Sequence, residues 1–271
     1  ELEGCQDISM YQCSQTNLRF FVPQNISGSG KFYEQLSEFS WYYASEKWEY
    51  DVAISDLADC ERVLEVGCGE GYFIKRLIAQ YSLDAIGTEL NPNAVRSAQE
   101  KGVPVFRLTL QEMLKDKAQY FDAACSFQVL EHVSDPLGFL EDMTQLIRPS
   151  GKLIVSVPNA QSFTKHAQDN LLDWPPHHMH QWCEKTFKSL TDLLPVELVR
   201  IKAEPLAAYH VDWYLGIQIA RLPENSILRR VARGFAHHLV GPILRNTAFL
   251  RKLITGHTLY VEFSINRESK P

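Results

Sequence analysis

The sequence lacks the features that would place a protein in a membrane or in a repeat class. Its 271 residues contain no apolar run that approaches the roughly 18 residues a membrane span requires. We find no internal repeat, low-complexity segment or signal-peptide pattern, although the chain begins with Glu1 rather than Met. We therefore expect a cytoplasmic globular protein.

The chain also lacks the excess of one charge sign that marks a nucleic-acid-binding protein and the cysteine content that marks a disulfide-rich protein. The net charge is −6 and no RNA-binding module is appended, so we do not expect a nucleic acid partner. Cysteines are scattered through a chain long enough to bury a large core, and we interpret them as reduced and mostly buried. The six are Cys5, Cys13, Cys60, Cys68, Cys125 and Cys183.

From residue 51 the chain alternates between strand-like and helix-like segments. Near-continuous apolar strands between amphipathic helices predict a mostly parallel sheet covered by helices on both faces. With right-handed crossovers this is a doubly wound α/β fold, whose ligands lie at the carboxyl ends of the strands. The predicted strands contain RVLEVG, DAIGTEL, VPVFRLT, FDAACSF and KLIVSVPN, and the predicted helices contain GYFIKRLIAQY, NPNAVRSAQEKG and DPLGFLEDMTQLIRPSG.

Two segments lie outside this alternation. Residues 1–50 combine a loop-like start with an aromatic-rich helix candidate, KFYEQLSEFSWYYASEKWEY, which we interpret as a cap on a domain formed by residues 51–271. Residues 206–255 form a helical insertion between two further strand candidates, VELVRIKAEP and GHTLYVEFSIN. The insertion has seven basic and two acidic residues, which gives it a local charge of +5.

A glycine-rich loop follows the first predicted strand, in VLEVGCGEGYF. Gly67, Gly69 and Gly71 have no Cβ, so backbone N–H groups can contact a ligand at the start of the next helix. Their spacing is G-x-G-x-G, whereas the dinucleotide fingerprint is G-x-G-x-x-G. Glu70 also lies where a pyrophosphate would lie, which favours a ligand without phosphates and with a positive charge.

Glu89 ends the second predicted strand, 18 residues after Gly71. A carboxylate at that position can accept hydrogen bonds from both hydroxyls of a ribose. The loop and Glu89 together predict a nucleoside ligand, and S-adenosylmethionine has the ribose, the adenine, an amino-acid tail and a sulfonium.

Four motifs, LEVGCGEG, GTELNP, FDAACSFQVLEHVSDP and GKLIVSVPN, together resemble the class I S-adenosylmethionine-dependent methyltransferases. The resemblance covers about residues 60–160, together with the closing GHTLYVEFSI. It implies a Rossmann-like sheet of seven strands in the order 3-2-1-4-5-7-6, with the seventh strand antiparallel. It also implies that S-adenosylmethionine is the cofactor.

The resemblance implies a role for nine residues. Glu65, Gly67 and Gly69 would lie under the methionine part of the cofactor. Glu89 would bind the ribose and Leu90 would pack on the adenine, although Leu90 and Leu110 are equally compatible with core positions. The remaining expectations are Thr109 and Leu110 at the adenine edge, where the family usually has Asp or Ser at the position of Thr109, and Phe127 and Gln128 at the methyl-donor end.

Histidines supply the candidates for catalysis. His132 follows the fourth predicted strand, and DWPPHHMHQW contributes His177, His178 and His180 on the cofactor side of the sheet. An alcohol or amine acceptor can require a base to remove its proton, and His178, His177 and His132 are the candidates for that base. Each is also compatible with a structural hydrogen bond.

We predict no metal ion in this segment. The spacing His-His-x-His is not a known ligand pattern, and the prolines favour an extended path. Alternate residues of an extended chain point to opposite sides, so His178 and His180 would share one side.

The flanking segments indicate the acceptor only broadly. The cap resembles a helical segment found in methyltransferases that modify sugars, lipid-linked intermediates or other small metabolites. Its Tyr33, Tyr42 or Trp48 could contact the cofactor, but we expect most aromatic side chains of the cap to pack on the sheet. Relatives often have a Cys-x-x-Cys zinc site before this cap, but Thr16 stands where the second cysteine would be. We therefore expect no structural zinc.

The basic insertion has three interpretations. Its arginines could hold a phosphate or carboxylate of the acceptor, its helices could contact an anionic membrane surface, or its faces could simply be solvated. We expect a methyltransferase that acts on a small-molecule, sugar or lipid-linked acceptor, with O- or N-methylation favoured. The alternatives are a nicotinamide (NAD) oxidoreductase and a non-catalytic cofactor-binding protein docked through the insertion.

Overall fold

The computed structural model describes residue 2 and residues 7–39, 42–167, 170–224 and 226–266. Cys5 lies outside the described residues, and so do Ser40 and Trp41 within the predicted N-terminal helix.

Ten strands form in the described part of the chain. They belong to one large and one small sheet. The strands are β1 (Ser9–Gln12), β2 (Arg19–Val22), β3 (Arg62–Val66), β4 (Asp84–Thr88), β5 (Val105–Phe106), β6 (Phe121–Phe127), β7 (Ile147–Pro158), β8 (His180–Gln181), β9 (Val196–Pro205) and β10 (Thr255–Ile265).

The large sheet has the order β5-β4-β3-β6-β7-β10-β9. Its first five strands are parallel to their neighbours, and β10 is antiparallel to both β7 and β9. Numbered along the chain, the seven strands therefore follow the order 3-2-1-4-5-7-6. The predicted seven-stranded, mostly parallel sheet is confirmed.

The helices lie between the strands, as the apolar periodicity predicted. Asn91 caps the helix that begins at Pro92, because its side chain accepts from the Asn93 N–H, and Asp135 caps the helix that begins at Pro136. The helices are α1 (Gly30–Leu36), α2 (Trp48–Asp56), α3 (Tyr72–Tyr81), α4 (Pro92–Glu100), α5 (Leu110–Lys117), α6 (Pro136–Leu146), α7 (Glu184–Ser189), α8 (Val211–Ala220), α9 (Ile227–Phe235), α10 (Gly241–Asn246) and α11 (Ala248–Arg251).

Each face of the large sheet has its own apolar core. One core joins α5 and α6 to the sheet through residues such as Leu140 and Leu153, and the other joins α2, α3 and α4 through residues such as Leu57 and Phe73. Because helices cover both faces, the exposed end of the sheet with its loops is left for ligands.

The N-terminal segment differs from the prediction in two ways. Where a loop was expected, residues 9–22 form a hairpin of β1 and β2, and β8 adds to β2 to give a three-stranded sheet. The single helix candidate is two helices, α1 and α2, since the chain leaves the helix at Ser37, whose hydroxyl donates to the Glu34 carbonyl. Serine competes in this way with the backbone hydrogen bonds of a helix.

The insertion between β9 and β10 is helical, as predicted. It contains α8 to α11 and a π-helical turn, Ala236–Val240, between α9 and α10. A separate apolar cluster that includes Phe163, Leu206, Val211 and Leu244 attaches it to the rest of the domain. No helix in the described ranges has the length and apolarity needed to cross a membrane.

Candidate functional site

A cavity of about 1250 Å³ lies at the carboxyl ends of the large sheet's strands. Its walls come from the glycine loop, the ends of β4 and β6, the N-terminal cap, the histidine segment and the insertion. Of the nine residues predicted to bind the cofactor, eight line this cavity; Glu65 is the exception.

Two positions of the glycine loop, Gly67 and Gly69, accept no residue other than glycine. Gly67 has φ +72°, and a Cβ there would lie 2.5 Å from Cγ2 of Val129. Gly69 has φ +53°, and a Cβ there would lie 2.7 Å from the Tyr43 ring. Both positions are strained for any side chain. The loop backbone is thereby held against the cavity.

Glu89 is fixed by backbone donors at both of its oxygens. Its Oε2 accepts from the Gly69 N–H at 2.9 Å, and its Oε1 accepts from the N–H groups of Leu90 and Asn91 at 2.7 and 2.8 Å. Each carboxylate oxygen has two lone pairs, so the group retains acceptor capacity toward the cavity. The glycine loop and the end of β4 are thus joined through this side chain.

Glu65 is a buried carboxylate at the base of the same loop. Its side chain is 1% exposed, and Oε2 has no hydrogen-bond partner. Burial raises the pKa of Glu65 to about 8, while the Lys47 ammonium opposes this rise and the Glu89 charge adds to it. An unpaired buried carboxyl group is costly, so this position favours a ligand that brings a cation or a donor.

The predicted adenine contacts differ in character. Leu90 is 60% exposed and is not a core residue, whereas Leu110 is 7% exposed and belongs to a core while also lining the cavity. Thr109 is the N-cap of α5: its hydroxyl donates to the Glu112 carboxylate at 2.8 Å and accepts from the Glu112 N–H. The Thr109 side chain is therefore occupied by its own helix.

Phe127 and Gln128 lie where the end of β6 meets the cavity. Phe127 is 3% exposed and packs against Tyr50 and Phe73. Gln128 has φ +58°, and its side-chain amide donates to Glu49 at 3.2 Å and to Ser156 at 3.3 Å. These two hydrogen bonds therefore hold the Gln128 side chain in place.

Three of the predicted histidines lie together in the wall of the cavity. The ring centroids of His132, His177 and His178 are 4.5 to 4.9 Å apart. We call these three residues the histidine cluster. His180 is not part of it; its backbone belongs to β8 and its side chain does not line the cavity.

The prediction that His178 and His180 share one side is wrong as a guide to the site. It assumed an extended chain, but the N–H groups of His177 and His178 both donate to the Trp174 carbonyl at 3.1 Å. The chain turns at this point, and the adjacent rings of His177 and His178 stack at an interplanar angle of 20°.

Each imidazole of the histidine cluster is oriented through Nδ1. His132 Nδ1 donates to the His177 carbonyl at 2.6 Å, and His177 Nδ1 donates to the Leu172 carbonyl at 2.9 Å. His178 Nδ1 donates to the Asp173 carboxylate at 3.1 Å. Burial lowers the pKa of all three histidines, and their mutual proximity lowers those of His132 and His178 further. The rings are neutral at pH 7.

Two carboxylates beside the histidine cluster were missed in the sequence. Asp173 is the orienting partner of His178, and burial raises its pKa. Glu131 is 1% exposed, its Oε1 is 3.8 Å from Nε2 of His132, and burial raises its pKa to about 8. Both stand next to residues that were singled out, in DWPPHH and LEHV, but a charged residue beside a histidine does not by itself predict a contact.

Comparison with known proteins decides the family. A family model described as a methyltransferase domain matches residues 17–194, about two thirds of the chain. The chain belongs to the class I S-adenosylmethionine-dependent methyltransferases. Two solved methyltransferase structures share its fold: one from Archaeoglobus fulgidus has a TM-score of 0.55 at 19% identity, covering 89% of this chain and 96% of its own. One from Thermotoga maritima has a TM-score of 0.56 at 16% identity, covering 87% and 97%.

Curated methyltransferases resemble the chain over shorter stretches. The ubiquinone biosynthesis O-methyltransferase of Parvibaculum lavamentivorans is 31% identical over 130 residues, which are 45% of this chain and 51% of that protein. The enzyme of the same name from Cereibacter sphaeroides is 27% identical over 183 residues, 64% of this chain and 74% of that protein. The chain thus spans about half the length of the first of these relatives.

The methyltransferase cofactor fits the observed residues. S-adenosylmethionine carries a positively charged amino-acid end and a ribose, and the loop offers two glycines with positive φ, the unpaired Oε2 of Glu65 and the fixed carboxylate of Glu89. These groups are the ones the resemblance implied for that end of the cofactor.

Among the described residues of the cap, tyrosines line the cavity and Trp48 does not. Tyr33, Tyr42 and Tyr43 line the cavity, while Trp48 does not line it and packs on Tyr260. The Tyr33 hydroxyl donates to the His177 carbonyl at 3.2 Å. The cap therefore contacts both the glycine loop, through Tyr43, and the histidine cluster, through Tyr33.

The insertion also reaches the cavity, through Tyr209, His210 and Trp213. Its arginines are not among the residues that line the cavity in the described part of the chain. An acceptor inside the cavity is therefore contacted by aromatic side chains of the insertion, and the basic side chains lie elsewhere.

Proposed function

We propose that the protein is an O-methyltransferase that transfers the methyl group of S-adenosylmethionine to a hydroxyl group of an acceptor held against the histidine cluster. One observation carries the proposal: a single cavity is lined both by the cofactor-type loop with Glu89 and by three oriented imidazoles. Its volume of about 1250 Å³ exceeds the roughly 300–1000 Å³ of most ligand pockets. A cavity of this size has room for a cofactor and an acceptor together.

Residues in different parts of the cavity have different roles in this proposal. Glu89 binds the ribose, and Glu65, buried at the base of the glycine loop, attracts the cationic amino-acid end, while the aromatic cap excludes water. The cofactor supplies an electrophilic methyl group on a sulfonium. Because positive charge is neutralised in the transfer, the protein contributes mainly orientation and desolvation. An alcohol must also lose its proton, and we assign activation of the hydroxyl to His132, His177 and His178, with His178 held by Asp173.

Oxygen is favoured over nitrogen as the acceptor atom for two reasons. The two curated relatives described above are named as O-methyltransferases. An unprotonated amine already has a nucleophilic lone pair, whereas a hydroxyl group needs the kind of activation that the histidine cluster provides.

We further propose that the acceptor is lipid-linked and that the insertion contacts an anionic membrane surface. Large apolar side chains of α9, the π-helical turn and α10 are 38% to 83% exposed. Arg230 and Arg233 are exposed along the same stretch. Basic and apolar groups on one amphipathic surface suit an anionic bilayer. The exposed apolar residues, which we call the insertion face, are Ile227, Leu228, Val231, Phe235, Leu239, Val240 and Ile243.

The insertion connects this surface to the chemistry. The same segment presents the insertion face outward and contributes Tyr209, His210 and Trp213 to the cavity. A hydroxylated head group attached to a lipid would reach the histidine cluster from that side.

Calorimetric titration with S-adenosylmethionine, S-adenosylhomocysteine and NAD tests the cofactor assignment. We expect binding of the first two only; binding of NAD alone would favour an oxidoreductase and contradict the proposal. An assay for S-adenosylhomocysteine release with pools of hydroxylated lipids, sugars and amines then tests turnover. Cofactor binding without turnover on any hydroxylated pool would favour the non-catalytic alternative.

A further inference from the structure

The histidine cluster has the composition of a metal site. One ring nitrogen from each of His132, His177 and His178 lies within 4.8 Å of the other two. Ligands of a tetrahedral zinc ion, at about 2.0–2.1 Å from the metal, are about 3.3 Å apart. The three side chains would close by about 1.5 Å or less to reach that spacing.

The hydrogen bonds of the cluster are those that metal ligands need. A histidine ligand commonly donates its other ring N–H to a carboxylate or a backbone carbonyl, which fixes the ring and its tautomer. His132 and His177 donate Nδ1–H to carbonyls, and His178 donates Nδ1–H to Asp173. In each ring this leaves Nε2 with the lone pair.

Two buried atoms at the cluster have no partner. Nε2 of His177 is buried without a hydrogen bond, and so is Oε2 of Glu131. Buried polar atoms of this kind are uncommon and call for a reason. A cation at the cluster would pair with the first and lie near the second.

We propose that His132, His177 and His178 bind one divalent transition-metal ion, of the zinc type, with an open position that faces the cavity. Neutral imidazoles suit zinc and its neighbours in the first transition row. Three protein ligands and one open position are typical of catalytic zinc sites, whereas structural sites are closed by four. The cavity wall at the cluster supplies that opening, because all three histidines line it.

The role of the ion rests on the proposed function; its binding does not. The acceptor hydroxyl would occupy the open position, where the ion lowers the pKa of the hydroxyl and its proton leaves to water. The oxygen then forms a bond to the methyl carbon as the carbon–sulfur bond breaks, and the electron pair of that bond neutralises the sulfonium. No oxidant or reductant is involved.

The test is a titration of the chelator-treated full-length chain with Co²⁺, followed by visible absorption, and with Zn²⁺, followed by calorimetry. We expect one ion per chain and the intense visible bands of four-coordinate cobalt. His132→Ala and His178→Ala should each weaken binding by at least tenfold. Asp173→Asn should weaken it about 10- to 100-fold, the range seen when a residue that hydrogen-bonds to a metal ligand is replaced. His238→Ala is the matched control, since His237 and His238 form an exposed pair in the insertion.

Two outcomes would overturn the site. Either the wild-type chain binds no Co²⁺ or Zn²⁺ at micromolar concentration, or binding is undiminished in both His132→Ala and His178→Ala. S-adenosylmethionine affinity reports whether each variant is folded, and His178→Asn replaces His178→Ala if the latter is not. Methyl transfer by a chain that binds no metal would contradict this inference alone, and metal binding without methyl transfer would contradict the proposed function alone.

Discussion

The backbone N–H of Gly69 donates to the carboxylate of Glu89 at 2.9 Å, so the glycine loop and the end of β4 are joined before any ligand contacts them. Such a link holds the carboxylate that we propose binds the ribose at a fixed position relative to the loop. Preorganisation of this kind reduces the entropy lost when a ligand binds.

Replacement of Glu89 tests that link. We expect Glu89→Ala to weaken S-adenosylmethionine binding by about 1–3 kcal/mol, because the charge-assisted bonds to the ribose are lost. Calorimetric titration measures the change, with Glu100→Ala, an exposed carboxylate on α4, as the control. Equal affinity in wild type and Glu89→Ala would remove Glu89 from the cofactor site.

Glu65 should release a proton when the cofactor binds. With a pKa of about 8 the carboxyl group is mostly protonated at pH 7, and the cationic end of the ligand favours the ionised form. Binding enthalpies measured at pH 7 in buffers of different ionisation enthalpy should show proton release in wild type and less in Glu65→Gln. Identical proton release in the two would place the cofactor's amino group away from Glu65.

The same group should make the unliganded protein less stable at higher pH. The folded-state pKa of Glu65 lies above its unfolded value, so the folded state binds the proton more tightly and is favoured at low pH. This contribution is complete below the unfolded pKa and is lost as pH rises through about 8. Denaturant unfolding at pH 5 and pH 8.5 measures how much the free energy of unfolding falls between these two pH values. This fall should be smaller in Glu65→Gln than in wild type; an equal fall would assign the pH dependence to other groups.

His178→Ala should lower turnover without affecting the cofactor. Removal of a group that activates the acceptor typically costs 10²- to 10⁴-fold in rate, and the hydrogen-bond partner of His178 is Asp173 rather than the glycine loop or Glu89. Single-turnover rates and S-adenosylmethionine affinity should therefore separate, with His237→Ala unchanged in both. Full activity of His178→Ala would make the residue structural.

The insertion face should govern attachment to vesicles. We expect the wild-type chain to sediment with phosphatidylglycerol vesicles and to remain in solution with phosphatidylcholine vesicles, with binding that weakens as salt is added. Val231→Asp combined with Phe235→Asp should abolish attachment, while Val199→Asp, at an exposed apolar position of β9, should not. Attachment that survives the double change, or that ignores lipid charge, would argue against the proposed surface.

The sheet and the cofactor loop were predictable because their signals are local. Period and apolarity define the strands, Asn91–Pro92 and Asp135–Pro136 define helix starts, and glycine spacing with Glu89 defines the ligand. Each of these features depends on residues close in sequence or on one strand end.

The acceptor side was less predictable because its contacts are distant in sequence. His132 meets His177 only through the fold, and β8 is a two-residue strand that exists because β2 pairs with it. The turn at Trp174 overrode the extended path that Pro175 and Pro176 had indicated. The spacing of the histidines in residues 177–180 could not indicate the proposed metal site, because one of its three ligands, His132, comes from another segment of the chain.

The pairing of β2 with β8 attaches the N-terminal hairpin to the segment that carries His177 and His178. Phe20 is opposite His180 in this pairing, two residues from His178. Residues 9–22 therefore support one wall of the cavity from behind without lining it, whereas the glycine loop follows a strand of the other, larger sheet. We expect substitutions in the hairpin to change methyl transfer more than S-adenosylmethionine affinity.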